Sequence, residues 1–419
     1  MSLHVLINGA GVAGLTAALA LLQRGADVTL IDQAGALTEL GAGVQISPNG
    51  TRVLQALGID LSGVACLAAA KEVRLWDSGR RWPLFDLGED CRTRFGAPYW
   101  LVHRGDLQQS LLQAVLALKP QVLRLGRRGV GFTDGAGHIV LNTEGGAAIE
   151  ADVLLAADGV HSALRRAMFA GLASEQTTLT GQASEQASFT GQASEQASFT
   201  GLMAWRGVVP TSRLPASLQA PVGVNWVGPG GHVVTYPLRR GELLNFVGIV
   251  ERSDWRAEGW NDAGSVAECA RDFAGWHADI HRIIEAIDVP YRWALLSRPS
   301  LTRWSSGRLC LLGDAAHPML PMLAQGANMA LEDGLLVARC LTEVDEPAAA
   351  ALQRFERLRL PRANRAVQGS ADNAKRFHNP LLADPAAAAE YMAREWAPER
   401  VRQRYDWVFE HDVSRQALD

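Results

Sequence analysis

At 419 residues, 48% hydrophobic and 20% charged, the chain is long enough for two ordinary domains or one large domain with an inserted layer, and too apolar to stay disordered. Its 40 Lys+Arg against 44 Asp+Glu leave a formal charge of -4, which supplies no basic field to hold nucleic acid or anionic lipid. Five scattered cysteines (Cys66, Cys91, Cys269, Cys310, Cys340) with no CxxC pair suit neither a zinc site nor a disulfide framework, and predict a reduced, cytoplasmic protein.

The first apolar run, LHVLI at 3–7, stops at a glycine cluster, as a strand buried on both faces does. Ala13 to Arg24 is rich in helix formers and ends at Gly25, and VTLID at 28–32 reads as a second strand, so the chain opens with a βαβ unit. No charged leader precedes it, and the apolar stretch Val12 to Leu22 is too short for a bilayer core of roughly 30 Å; membrane insertion and secretion are not expected. Strand and turn signals alternate through 72–102. Gly105 to Leu118 has helical spacing with Asp106 in its first turn. Residues 138–157 predict a hairpin across Gly145-Gly146, then a buried strand ending at Asp158-Gly159.

Residues 174–201 repeat with period ten (SEQTTLTGQA, SEQASFTGQA, SEQASFTG), too short and polar for a solenoid, and are expected to form a flexible surface loop. AWRGVV, GVNWVG, HVVTYPL and LLNFVGIV, between Met203 and Val250, predict an antiparallel meander. From Ala324 helical spacing dominates, with breaks expected at Asn379-Pro380 and Asp384-Pro385.

Gly9-Ala10-Gly11-Val12-Ala13-Gly14 is a GxGxxG placed directly after a strand and opening a helix. Gly9 allows the tight turn, Gly11 admits a pyrophosphate to the helix N-terminus, Gly14 permits close packing, and Asp32 can accept from ribose hydroxyls. The pattern alone leaves NAD and FAD open. A second segment, RLCLLGDAAHP from Arg308, delivers Gly313-Asp314 at the end of a buried strand, with a helix predicted from about Gly326. No His/Cys/Asp cluster has metal-ligand spacing and no serine lies in a GxSxG elbow.

Taken in order, GAGVAG (Gly9 to Gly14), DGVHSALR (Asp158 to Arg165) and GDAAHPMLPMLAQGANMALED (Gly313 to Asp333) make the chain resemble the single-component FAD-dependent aromatic hydroxylases, over nearly its whole length. The resemblance implies an α/β fold: a Rossmann-type FAD-binding domain (1–75, 98–175, 296–345), an inserted antiparallel-sheet substrate domain (76–97, 202–295), the repeat loop (174–201) and C-terminal helices (346–419). It also implies that Asp32 binds the adenosine ribose of FAD, although most members carry Glu there. Arg104 would lie at the flavin or pyrophosphate, Asp158 near FAD and the nicotinamide donor, and Gly313 and Asp314 at the ribityl and pyrophosphate portion. Gln325, Gly326, Ala327 and Asn328 would pass beside the isoalloxazine ring. NADH or NADPH is expected as a transient reductant, because no second Rossmann motif exists.

The implied activity is hydroxylation of a small aromatic acid or phenol with O2, through a flavin C4a-hydroperoxide. A phenol reacts best as phenolate, so the site needs a proton acceptor near the substrate hydroxyl. His232 and Tyr236, four residues apart on one predicted strand, share a face and match a His and a Tyr that line the pocket of relatives. Pro321 matches a proline whose carbonyl lies near the reacting ring, and His317 is expected to position the flavin segment. Arg206 could pair with a substrate carboxylate, or with a surface or interdomain one. The alternatives are a same-fold oxidase, N-hydroxylase or epoxidase, and a non-catalytic flavin-binding interaction protein. A homodimer is compatible with the composition.

Overall fold

The computed structural model describes residues 2–37, 42–180, 197–252, 254 and 262–419. The opening βαβ unit forms as the residues dictate: strand His4–Asn8, helix Val12–Gln23 and strand Asp27–Ile31, the two strands pairing in parallel. Val153–Ala156 pairs in parallel on the other side of His4–Asn8, and Leu309–Leu311 pairs with Val153–Ala156. These strands are almost wholly buried because helices cover both faces, which is why they read as unbroken apolar runs. The hairpin before Val153 turns at Gly145 and Gly146, both at positive φ.

The second layer is an eight-stranded sheet whose spatial order is Asp262–Ala263, Tyr291–Ser297, Ser198–Pro210, Leu243–Glu251, Gly231–Leu238, Val222–Gly228, Ala70–Leu75 and Arg81–Asp86. Its strands alternate between two cores. Met203, Trp205, Trp226, Val233 and Phe246 face outward onto helices Val266–Asp272 and Ala278–Glu285. Ala204, Val227, Tyr236 and Ile249 face inward, onto Met322, Leu323 and the C-terminal helices. All pairings are antiparallel except Ala70–Leu75 with Val222–Gly228.

Three expected boundaries shift. Residues 70–75 belong to the large sheet, not to the nucleotide-binding part, because Ala70 to Leu75 pair residue for residue with Val222 to Val227. The large sheet likewise retains Leu296 and Ser297. Helix Ala163–Thr180 runs on into the first repeat unit, and Ser198 onward joins the large sheet through Ser297, so the expected loop is shorter than 174–201. Residues 181–196 of that expectation lie outside the described residues.

The C-terminal helices break where proline demands. Helix Ala348–Phe377 ends before Asn379, whose side chain accepts from the Leu381 amide at 3.0 Å. Asp384 caps helix Pro385–Glu395 through the Ala386 and Ala387 amides, and helix Pro398–Phe409 follows. Among the described residues no helix is long and apolar enough to cross a membrane.

Candidate active site

The glycine turn is sterically closed except where a ligand would enter. Gly9 sits at φ 115°, and a Cβ there would lie 2.3 Å from the Ala157 carbonyl oxygen. One at Gly14 would lie 1.9 Å from the Gly9 oxygen, whereas Gly11 has nothing within 4 Å. Helix Val12–Gln23 starts at Gly11 with no side-chain cap and no acidic residue in its first turn, leaving the amides around Val12 and Ala13 to an outside acceptor such as pyrophosphate. Asp32 holds this turn in shape: Oδ2 accepts from the Ala10 amide at 2.7 Å and Oδ1 from the Ala34 amide at 2.8 Å. Each oxygen keeps a second acceptor site for a ribose hydroxyl.

The DG and GD segments meet through Arg165, which donates to the Val160 carbonyl at 2.7 Å and the Ala315 carbonyl at 3.0 Å. Asp158 caps helix Ala163–Thr180, its Oδ2 accepting from the Ala163 amide at 3.0 Å. Burial pushes its carboxyl up against the pull of Ser162 and the helix amides. Its other oxygen, Oδ1, is buried and makes no hydrogen bond among the described residues. Asp314 is exposed at the end of its strand and its carboxylate has no hydrogen bond among the described residues, which fits a ribityl or ribose hydroxyl.

Behind Gly313 lies a buried ionic cluster. Asp333 Oδ2 accepts from the Gly313 amide at 2.9 Å and pairs with His317 Nε2 at 2.6 Å, while Oδ1 accepts from Arg359 Nε at 2.8 Å. Arg359 and Arg362 both bind Glu332. Burial alone would raise both carboxyls, but these cationic neighbours outweigh it and hold Glu332 and Asp333 below the usual range. His317 is thus tied to Asp333 from behind the flavin segment.

The segment Pro321 to Asn328 is stapled on both sides. Asn328 accepts from the Ser47 amide at 3.0 Å and donates to the Gln45 carbonyl at 2.9 Å. Ser370 and Asn373, on helix Ala348–Phe377, bind the backbone of Leu320, Leu323 and Met322. Pro321 is exposed, and its carbonyl accepts from the Ala324 amide at 3.0 Å, closing a tight turn. Ala324 takes a left-handed φ of 55°, and helix Gly326–Thr342 begins with no side-chain cap, so the Gly326 and Ala327 amides remain available. Taken together, these residues fit FAD.

On the inner face of the large sheet, residues in register form lateral rows. One runs Trp293, Ala204, Ile249, His232; the next Tyr291, Arg206, Val247, Val234; further along, Tyr236 pairs with Asn245 and Gly223 with Lys71. His232 and Tyr236 share the face, as expected, but they are not neighbours: four residues of strand separate their Cα atoms by about 13 Å. Tyr236 lies against strand Gly43–Ile46, where a Cβ on Gly43 would come within 2.5 Å of its ring. It belongs with Gln45, whose Oε1 also accepts from Tyr99 at 2.7 Å and from Lys71 at 3.0 Å. Burial raises the Tyr236 phenol and lowers the Lys71 ammonium to about 8. His232 is at the other end, edge-on to Phe377 and 2.6 Å from His378. Burial, then the His378 ring, hold it well below the usual histidine range, so it is neutral at pH 7.

Arg206 is buried on this face with its guanidinium 5.5 Å from the Tyr291 ring centroid and 5.8 Å from that of Trp293. Burial lowers its pKa and the charge of Arg104 lowers it further, so two guanidiniums bear on one region. Arg104, at the start of helix Arg104–Leu118, donates its amide to the Ala42 carbonyl at 2.8 Å. Sequence reasoning missed Gln45, Lys71, Tyr99, Ser370, Asn373 and His378, which come from four separate stretches of chain. Only Lys71 carried a usable signal, a lysine at an inward position of an alternating run.

The FAD binding domain family matches residues 2–370. The chain is 36% identical over 379 residues to 3-amino-4-hydroxybenzoate 2-monooxygenase PtmB3 of Streptomyces platensis, covering 90% of this chain and 89% of that one. It is 32% identical to 3-hydroxybenzoate 6-hydroxylase of Polaromonas naphthalenivorans, over 98% of this chain and 96% of that one. The fold matches a salicylate hydroxylase substrate complex with TM-score 0.76 and 25% identity, over 99% of this chain and 96% of that one.

Proposed function

The chain belongs to the FAD binding domain family, among the single-component FAD-dependent aromatic hydroxylases, and from that premise we propose that it hydroxylates an aromatic acid already bearing a ring hydroxyl. FAD, reduced by NADH or NADPH, supplies the activation of O2. The Gly9 to Gly14 turn, Asp32 and Asp314 would hold its dinucleotide portion, and Gln325 to Asn328 its reacting ring.

One observation carries the substrate class: the inner sheet face presents the Arg206 guanidinium, repelled by that of Arg104 at the start of helix Arg104–Leu118, and, two strands away, a buried neutral imidazole. Arg206 and Arg104 repel each other, and a carboxylate between them would relieve that repulsion while gaining charge-assisted hydrogen bonds. Sheet spacings put the Cα atoms of Arg206 and His232 about 12 Å apart, room for a substituted ring between their side chains. Among the described residues His232 makes no hydrogen bond through Nε2, and as a neutral imidazole it can accept the ring hydroxyl proton there. Tyr236, tied to Gln45, fixes strand Gly43–Ile46 against the sheet, and Pro321 shapes the flavin turn. The apolar cluster of Met322, Leu323, Val227 and Ile249 excludes water.

The test is NADH and NADPH oxidation by the holoenzyme with 3-amino-4-hydroxybenzoate, 3-hydroxybenzoate, salicylate and 6-hydroxynicotinate, with product masses. One acid is expected both to accelerate oxidation and to gain a single oxygen. Arg206→Met should then raise KM for that acid about 10- to 100-fold, the loss of one charge-assisted hydrogen-bonded contact. Oxidation yielding only peroxide with every acid would refute the proposed substrate class.

A further inference from the structure

Past His232, the inner face of the sheet continues into a second imidazole and then a carboxylate. His232 Nδ1 lies 2.6 Å from His378 Nε2, and His378 Nδ1 lies 3.3 Å from Glu251 Oε1. Three separate elements contribute: strand Gly231–Leu238, the C-terminal cap of helix Ala348–Phe377, and the last residue of strand Leu243–Glu251. Exposure rises along the series, from 1% for His232 and 5% for His378 to 58% for the Glu251 side chain. An imidazole can take a proton on one nitrogen and release another from the second, so two in contact, ending on a wetted carboxylate, form a path from interior to solvent.

We propose that His378 and Glu251 are the proton outlet of the hydroxylation site, carrying the phenolic proton from His232 to water. This rests on the reading of His232 as the acceptor of that proton. The substrate O–H bond breaks with its electron pair left on the ring oxygen, and the proton binds His232 Nε2. The proton on His232 Nδ1 passes to His378 Nε2, and that on His378 Nδ1 passes to the Glu251 carboxylate, which exchanges it with water. Nothing is oxidised or reduced in these transfers. Running the path backward, when the product hydroxyl is re-protonated, restores both tautomers.

The surroundings suit a conduit rather than a storage site. Among the described residues Glu251 is the one charged group within ion-pair distance of either ring. Arg376, two residues before His378, turns instead to Asn373 and Glu395, and Phe377 packs against the edge of His232. Burial lowers His378 to about 4, so at neutral pH both rings are uncharged and each offers one N–H and one lone pair.

The test uses the holoenzyme and whichever acid of the panel above is hydroxylated, mixed in weakly buffered solution with a pH indicator. Wild type is expected to release a proton as the acid binds, and His378→Phe and His378→Ala to do so about ten-fold more slowly, with FAD content and acid affinity unchanged. Added imidazole should restore the rate in His378→Ala and not in His378→Phe, a rescue that a purely structural role would not produce. Release at the wild-type rate in His378→Phe overturns the outlet. His232→Gln separates the two readings: wild-type release there means that His232 is not the acceptor, whereas loss of release there, beside normal release in His378→Phe, removes the outlet alone. Should the His378 variants lose FAD, Glu251→Gln carries the test. A slowed release that stronger buffer restores supports the outlet, and unchanged release overturns it.

Discussion

Asp333→Asn tests whether the buried ionic cluster shapes the flavin turn. The substitution keeps volume and removes charge. Its effect follows from the donors around the carboxylate: the Gly313 amide lies on Oδ2 at 2.9 Å and Arg359 Nε on Oδ1 at 2.8 Å. Both groups can only donate, and an asparagine presents one oxygen and one NH2. Whichever way the amide turns, one N–H therefore faces another N–H in a site closed to water. The loss is one charge-assisted hydrogen bond of about 1.5–3 kcal/mol plus the cost of a buried unpaired donor of about 1–3 kcal/mol, so about 2.5–6 kcal/mol together. Arg359 keeps Glu332, which limits the damage to that range.

Thermal unfolding of the FAD-loaded variant should show a Tm lowered by several degrees. Because Gly313 begins the turn carrying Asp314, FAD affinity measured by flavin fluorescence should fall as well. The sign of the pH dependence is fixed by direction: Asp333 is held below 3.8, so its contribution is complete above that value and is lost as pH falls through the lower folded-state pKa. The difference in Tm between wild type and variant should therefore be constant from pH 5 to 8 and shrink only in stronger acid. A variant that melts with wild type and retains FAD would refute the reasoning.

Gly14→Ala should yield protein with FAD affinity reduced roughly 10- to 100-fold, since its Cβ meets the Gly9 oxygen at 1.9 Å and the turn must move; full flavin content after gel filtration would contradict this. Lys71→Met should flatten part of the stability profile at high pH. A lysine lowered from 10.5 to about 8 binds fewer protons folded than unfolded between those values, so wild type gains about 3 kcal/mol at this site as pH rises through that window. Unfolding curves of wild type and variant that run parallel from pH 8 to 10.5 would show the ammonium to be solvated. Deleting residues 182–191, one period of the repeat, should leave FAD content and NADH oxidation unchanged, because the flanking helix and strand are kept whole; loss of FAD would make the repeat structural.

Much of this architecture was legible because its signals are local. The glycine turn, the Gly145-Gly146 hairpin and the proline breaks at Pro380 and Pro385 each depend on residues within a few positions. The placement of Ala70–Leu75 in the large sheet is not legible locally, because its partner strand lies some 150 residues later and a parallel pairing leaves no turn to read. The site shows the same division. The four-residue spacing that places His232 and Tyr236 on one face also holds them apart, so period-two reasoning identifies the face but not the separate ends at which they lie. His378 could not be read from its neighbours at all, because a helix cap beside proline is a structural position until the fold sets it against His232.

One helix explains why those distant residues converge. Along Ala348–Phe377, Arg359 and Arg362 bind Glu332 and Asp333 behind the nucleotide turn, Ser370 and Asn373 hold the flavin segment, and Phe377 and His378 reach the substrate sheet. It is continuous through Pro361, where a lost amide donor and ring clash cost about 3 kcal/mol in an ordinary helix. The proline lies between Arg359 and Arg362, so the two buried ion pairs that bracket it oppose any break at that point. A rigid rod anchored at three places keeps the Gly313 turn, the Pro321 to Asn328 segment and His232 at constant separation, and the proposed hydroxylation would require that constancy because reacting groups displaced by about 1 Å lose rate about 100-fold.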